Sequence, residues 1–172
     1  MSSAGYAAPL SVADAVTLLA GNPSARVIAG GSGLLTGPSR AQATSGLLVD
    51  LRRISGLKAI TDGAGGVTIG ATATLNAIAG SAAVRGVCPV LADAALLMGD
   101  AQMRNRSTLG GCLASTNAGD ADLPALLIAL GATVTVAGPK GERTIDAGSL
   151  LAAGVGRDEV ITAVAVPAPA GA

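Results

Sequence analysis

Two stretches of this chain combine residue types that can hold an anion. The first is Ala29-Gly30-Gly31-Ser32-Gly33-Leu34; the second is Arg104-Asn105-Arg106-Ser107-Thr108-Leu109-Gly110-Gly111-Cys112. Adjacent glycines let a backbone approach a ligand closely and present its N–H groups, which is how main chain cradles a diphosphate. Ser32 and Thr108 add hydroxyl donors. Two such loops converging on one diphosphate make a dinucleotide site. Either pair alone is weak evidence, because the chain has 25 glycines. Neither loop spells GxGxxG and no Gly-Lys-Ser/Thr occurs, so an ordinary Rossmann or P-loop site does not fit.

Composition narrows the chemistry further. The chain has no histidine, which removes His-based triads and His-ligated metals. Cys88 and Cys112 are too few and too far apart for a disulfide framework, a zinc knuckle or an iron–sulfur cluster. Cys112 is read as a reactive thiol beside a ligand or as a small packing residue. Basic and acidic residues number 11 each, with no basic stripe for nucleic acid or a membrane surface. Mean hydropathy is +0.59, yet the uncharged runs 63–84 and 123–139 are broken by glycine, threonine, Asn76 or Gly131. No membrane insertion is predicted. The N-terminus shows no basic-then-apolar export pattern, so a cytoplasmic location is expected. No catalytic residue and no metal ligand is assigned.

Stepping outward, the elements that carry the loops follow from periodicity. Ser11 caps a helix with Val12, Ala15, Val16 and Leu19 on one face, stopped by Gly21-Asn22-Pro23. Arg26 to Ala29 is a short apolar strand feeding the first glycine loop, which runs on to a stop at Gly37-Pro38. Leu47 to Asp50 is a second strand. After Leu57 the pattern changes: 58–61 and 67–70 read as a hairpin, Thr74 caps a short helix, and Pro89 opens a longer one. Beyond the second glycine loop, Asp122 reads as the N-cap of a helix ended by Gly131. A hairpin over 133–136 and 142–145 follows, then a short helix from Ala147 and a last strand from Val160 to Val166. The division is a small α/β lobe over 1–57, an α+β lobe over 58–166 and a linker-like tail over 167–172.

In this order the motifs resemble one family. They are Arg26-Val27-Ile28-Ala29-Gly30-Gly31, Leu48-Val49-Asp50-Leu51, Val67-Thr68-Ile69-Gly70-Ala71, Gln102 through Gly111, Asp122-Leu123-Pro124-Ala125, 127–132, and Asp158-Glu159-Val160-Ile161 before Val164-Ala165-Val166-Pro167. Together they are similar to the FAD-binding subunit or domain of the molybdenum hydroxylases, the carbon monoxide dehydrogenase and xanthine dehydrogenase type. The resemblance implies an α+β, two-lobe FAD-binding fold of the vanillyl-alcohol-oxidase type. It implies an oxidoreductase component that passes electrons from iron–sulfur clusters on a partner to an external acceptor. The molybdenum cofactor and [2Fe-2S] clusters would sit on a molybdenum-binding large subunit and an iron–sulfur small subunit.

Carried over residue by residue, the resemblance places the diphosphate on Ala29, Gly30, Gly31, Ser32, Gly33 and Leu34 and on Thr108, Leu109, Gly110, Gly111 and Cys112. Asp122 matches an acidic residue that accepts from sugar-like hydroxyls, with Asp120 competing for the role and helix capping as its other reading. Met98 and Ile161 match positions at the flavin end. Arg104 and Arg106 are read as a solvated loop, as charge facing the diphosphate, or as a partner contact. The chain departs from the family's pattern in Gly33 after Ser32, in Cys112 where asparagine is common, and in an aromatic-free 149–154 segment. It also stops where the family's C-terminal domain is expected. The alternatives are a flavin-free scaffold subunit with the same fold and a stand-alone FAD-binding module.

Overall fold

The structure, a computed structural model, describes residues 5–35, 46–63, 65–115 and 122–169. The turn at Gly37-Pro38, Asp120 and the last residues of the tail lie outside the described residues. Two sheets organise what is described. β1 (Gly5–Ala7), β2 (Arg26–Ile28) and β3 (Leu47–Asp50) form a parallel sheet in the order β1-β3-β2. β4 (Ile60–Gly63), β5 (Gly66–Gly70), β6 (Thr133–Gly138), β7 (Gly141–Asp146) and β8 (Val160–Pro167) form an antiparallel sheet in the order β4-β5-β8-β6-β7. The expected α+β class holds. β1 was not expected: three residues with one aromatic give no alternation to read.

Helix α1 (Val12–Gly21) begins where the Ser11 hydroxyl accepts from the Asp14 amide at 3.1 Å and donates to the Asp14 carboxylate at 2.7 Å. Its Ala15, Val16 and Leu19 pack with Val49, Leu51, Ile54 and Leu57, and with Ala137 and Val160 from the antiparallel sheet. The parallel sheet is therefore seated on the antiparallel one through a shared apolar cluster. Two 3-10 turns, Leu51–Arg53 and Ser55–Lys58, carry the chain between them.

A larger core fills the space between β5, β6 and β8 and a layer of helices. These are α2 (Leu75–Gly80), α3 (Ala82–Val87), α4 (Pro89–Leu97), α6 (Leu109–Ala114), α7 (Asp122–Ala129) and α8 (Ala147–Ala153), while the single turn α5 (Ala101–Arg104) between α4 and α6 buries no residue. Thr74 caps α2 as expected, and Pro89 opens α4 as its first helical residue. α7 closes with Ala132 N–H donating to Leu127 O and Gly131 N–H to Ile128 O, a Schellman pair. Asp122 is a correction: it lies inside α7, in its first turn, rather than at the N-cap. β8 carries a bulge, because Thr135 pairs with Ala163 while Val136 pairs with Ile161. The extra residue, Thr162, donates its hydroxyl to Thr135 O at 3.2 Å and accepts Ala71 N–H on its carbonyl at 3.0 Å. The segment after β5 is thereby held to the sheet.

Candidate functional site

The first glycine loop leaves the end of β2, where Ile28 stands in register with Asp50 of β3. Asp50 is 2% exposed. Its carboxylate accepts from Tyr6 Oη at 2.5 Å, from Arg52 Nε at 2.9 Å and Nη2 at 2.6 Å, and from the Arg52 amide at 2.9 Å. Burial by itself would raise the Asp50 carboxyl, but the hydrogen bonds from Arg52 and Tyr6 outweigh it and hold the group below its usual value. The cluster thus ties β1 to β3 and to the 3-10 turn that follows it, in register with the end of β2. Sequence reading missed this cluster; its available signal was the chain's lone aromatic.

Beyond Ile28 the chain turns tightly. Gly31 has φ +76°, a conformation that side chains disfavour, and Leu35 N–H closes the turn on Gly31 O at 3.0 Å. The amides of Gly30, Gly31, Gly33 and Leu34 donate to no acceptor among the described residues. Ala29, Gly30, Gly31, Ser32 and Leu34 are half-buried and Gly33 is exposed.

The second stretch meets it. A Cβ on Gly30 would overlap the Arg106 carbonyl oxygen and lie 3.3 Å from Ser107 Cα, so the two backbones touch where only glycine fits. Arg106 donates from Nε and Nη2 to Gly30 O at 3.2 and 3.1 Å, and Ser107 Oγ donates to Ser32 Oγ at 3.0 Å. Residues of the two loops 75 and 76 positions apart in sequence are therefore joined directly.

The second glycine pair itself is a correction. Expected as bare donors, its amides are already engaged: Leu109 N–H on Ala73 O at 3.1 Å, Gly110 N–H on Ala71 O at 2.9 Å, Gly111 N–H on Thr108 Oγ1 at 3.2 Å and Cys112 N–H on Thr108 O at 2.9 Å. These residues open α6 with Thr108 as its N-cap. Two glycines argue against a helix on propensity; here packing decides, because Gly110 lies against Ala71, whose Cβ would stand 2.9 Å from one on Gly110. The Thr108 hydroxyl accepts from Gly111 and keeps its own proton to donate. Gly111 is exposed; Thr108, Leu109, Gly110 and Cys112 are buried.

Other expected residues sit at a distance from this junction in role. Met98, at the end of α4, and Ile161, in β8, are 8% and 6% exposed within the larger core and offer no polar side-chain group. Asp122 exposes its carboxylate, which has no hydrogen bond among the described residues. Arg104 is not a solvated side chain but a tie: it donates to Gly99 O at 2.6 Å and to Asn76 Oδ1 at 3.2 Å, while Asn76 donates to Asn105 Oδ1 at 2.6 Å. Surface depressions of about 440 and 520 Å³ lie at the β4–β5 hairpin and beside α1, and no residue of either glycine loop lines them. Among the described residues no group of three or more metal-ligating side chains occurs, and no helix is long and apolar enough to cross a membrane.

With this geometry in view, comparison with known proteins is specific. The family described as the FAD binding domain in molybdopterin dehydrogenase matches residues 2–169. The carbon monoxide dehydrogenase medium chain of Afipia carboxidovorans is 37% identical over 95% of this chain. The nicotine 6-hydroxylase medium subunit of Paenarthrobacter nicotinovorans is 35% identical over 94%. Each match covers 58% of the relative. Among solved structures, the carbon monoxide dehydrogenase of Hydrogenophaga pseudoflava superposes over 99% of this chain and 61% of its own, with a TM-score of 0.92 and 36% identity. The chain thus spans about three-fifths of the length of these proteins.

Proposed function

The chain belongs to the family of FAD-binding domains of molybdopterin dehydrogenases, and from that premise we propose that it holds FAD along the seam between its two glycine loops. The observation that carries this is the docking of Gly30 onto Arg106 and Ser107 beside the open amides of Gly30, Gly31, Gly33 and Leu34. A diphosphate needs several convergent donors and close backbone access, and this junction has both. Ala29 through Leu34 would take the diphosphate, with hydroxyls from Ser32 and Thr108. From the second pair, Gly111 is the exposed member available to approach it. Leu109, Gly110 and Cys112 shape the seam through α6 rather than donating to it.

Asp122, whose exposed carboxylate has no hydrogen bond among the described residues, would accept from sugar-like hydroxyls of the cofactor. Met98 and Ile161 would bound the flavin end by packing and backbone. Bound FAD supplies reversible electron acceptance, and the protein supplies binding, orientation and electrostatics. In that role the chain is an electron-transfer component of a molybdenum hydroxylase, receiving electrons from iron–sulfur clusters on a small subunit and passing them to an external acceptor. Two cysteines in the whole sequence cannot ligate such a cluster, so those centres and the molybdenum cofactor would reside on partner chains.

The test is cofactor content. The chain, purified with whatever it assembles with, is expected to show flavin absorbance, to release FAD on denaturation and to travel with molybdenum- and iron-containing chains. A complex without flavin would leave only the scaffold reading; flavin without those chains would leave a stand-alone FAD module.

A further inference from the structure

We propose that Arg106 is a cofactor-binding residue, a fixed cation for the diphosphate that the open amides receive; this rests on the seam being the FAD site. Its guanidinium is pinned by two N–H groups to Gly30 O, on the loop with the uncommitted amides. Arg106 is exposed and has no ion-pair partner: the ion pairs among the described residues are Arg52–Asp50, Arg85–Asp93 and Arg143–Glu159. An exposed arginine is ordinary. An arginine held across the seam on an anion cradle, with no carboxylate among the described residues to neutralise it, points to an anionic ligand.

Arg104 gives the internal contrast. Two residues earlier, it donates to Gly99 O and Asn76 Oδ1 and ties α5 to α2, away from the first loop. Amide dipoles offset a diphosphate's charge only in part, whereas a guanidinium supplies full charge in charge-assisted bonds and has donors left after gripping Gly30. Because Gly30 already orders it, little further side-chain freedom is lost when a ligand arrives.

The experiment titrates the chain with FAD, ADP and riboflavin at several ionic strengths, for the native sequence, Arg106→Gln and Arg106→Lys. Arg106→Gln is expected to weaken FAD and ADP on the order of 10- to 100-fold, as for a lost charged hydrogen bond. It should also flatten the salt dependence and leave riboflavin, which has no phosphate, unchanged. Arg106→Lys keeps the charge and should keep the salt dependence. If Arg106→Gln does not fold, the lysine variant decides, because it loses the two-pronged grip on Gly30: FAD and ADP weakened with riboflavin unchanged supports the assignment, and FAD and ADP bound as by the native chain overturns it. Equal weakening of FAD and riboflavin, or unchanged FAD and ADP binding, would make Arg106 merely a latch on Gly30. A native chain that binds neither FAD nor ADP overturns the FAD seam itself, and this inference with it.

Discussion

At Gly30 the missing side chain faces the Arg106 backbone, at Gly31 it faces the side chains of Leu35 and Ile28, and the amides of both find no acceptor among the described residues. At Gly110-Gly111 the missing side chain of Gly110 faces Ala71, and the amides are consumed in seating and capping α6. Both pairs admit close approach, yet one approach faces the seam and the other faces the core. The difference arises from what precedes each pair. β2 ends at Ile28, so the chain beyond it has no further ladder partner. Thr108, by contrast, bridges Thr74 and offers a hydroxyl to cap a helix. A Gly-Gly pair therefore marks close packing, and its neighbours determine whether donors remain.

Four substitutions separate the two pairs. Gly30→Val should have the largest effect: its side chain must displace the Arg106 backbone, so the seam opens. FAD retention should vanish and stability fall by about 3 kcal/mol or more. Flavin content and thermal unfolding would measure this, and native-like values for both would show that the loops do not touch in solution.

Asp50→Asn comes next, beneath the open loop. Replacing one acceptor oxygen by a donor and removing the charge that Arg52 pairs with should destabilise by about 1–3 kcal/mol at neutral pH. Because the folded carboxyl is held low, its stabilisation is present above the unfolded value of about 3.9 and disappears as pH falls through the lower folded value. The native chain should lose that increment in acid, and the variant should not. Parallel pH–stability curves for the two would remove Asp50 as a support of the loop.

Gly110→Ala tests the closed pair. A methyl 2.9 Å from Ala71 Cβ and 3.0 Å from its carbonyl overpacks the site by about 1–2 kcal/mol. FAD affinity, measured where the variant is fully folded, should stay within a few-fold of native, and Ala71→Gly should restore part of the stability. A large affinity loss without destabilisation would return Gly110 to the diphosphate.

The smallest effect is expected from Thr108→Ala, which removes the α6 cap at about 1 kcal/mol. FAD should weaken a few-fold if the hydroxyl proton reaches the ligand. Chemical denaturation alongside FAD titration distinguishes the two roles.

Much of the fold is legible from local signals. Ser11, Thr74, Pro89 and Gly131 mark helix boundaries that the structure keeps, and the two hairpins follow their alternation and turns. What escaped has physical causes. β1 is too short for a period. α3 is entered from Ser81 directly after α2, with no separating turn residue. α6 contains the glycines that propensity forbids, and only the contact with Ala71 explains them. In the site, the two stretches that the structure joins could be picked out from their residue types. The Tyr6–Asp50–Arg52 cluster and the grip of Arg106 on Gly30 were not, because they join residues far apart in sequence.

The sequence alone determined which residues can approach a ligand, since glycine, serine and threonine at those positions are local chemical facts. It also excluded His-based triads and His-ligated metals from this chain, because composition does not depend on folding. Only the tertiary structure decided which amides remain free. A donor's availability depends on the carbonyls that surround it: Ala71 and Ala73 take the amides of the second pair, and no carbonyl among the described residues takes those of the first.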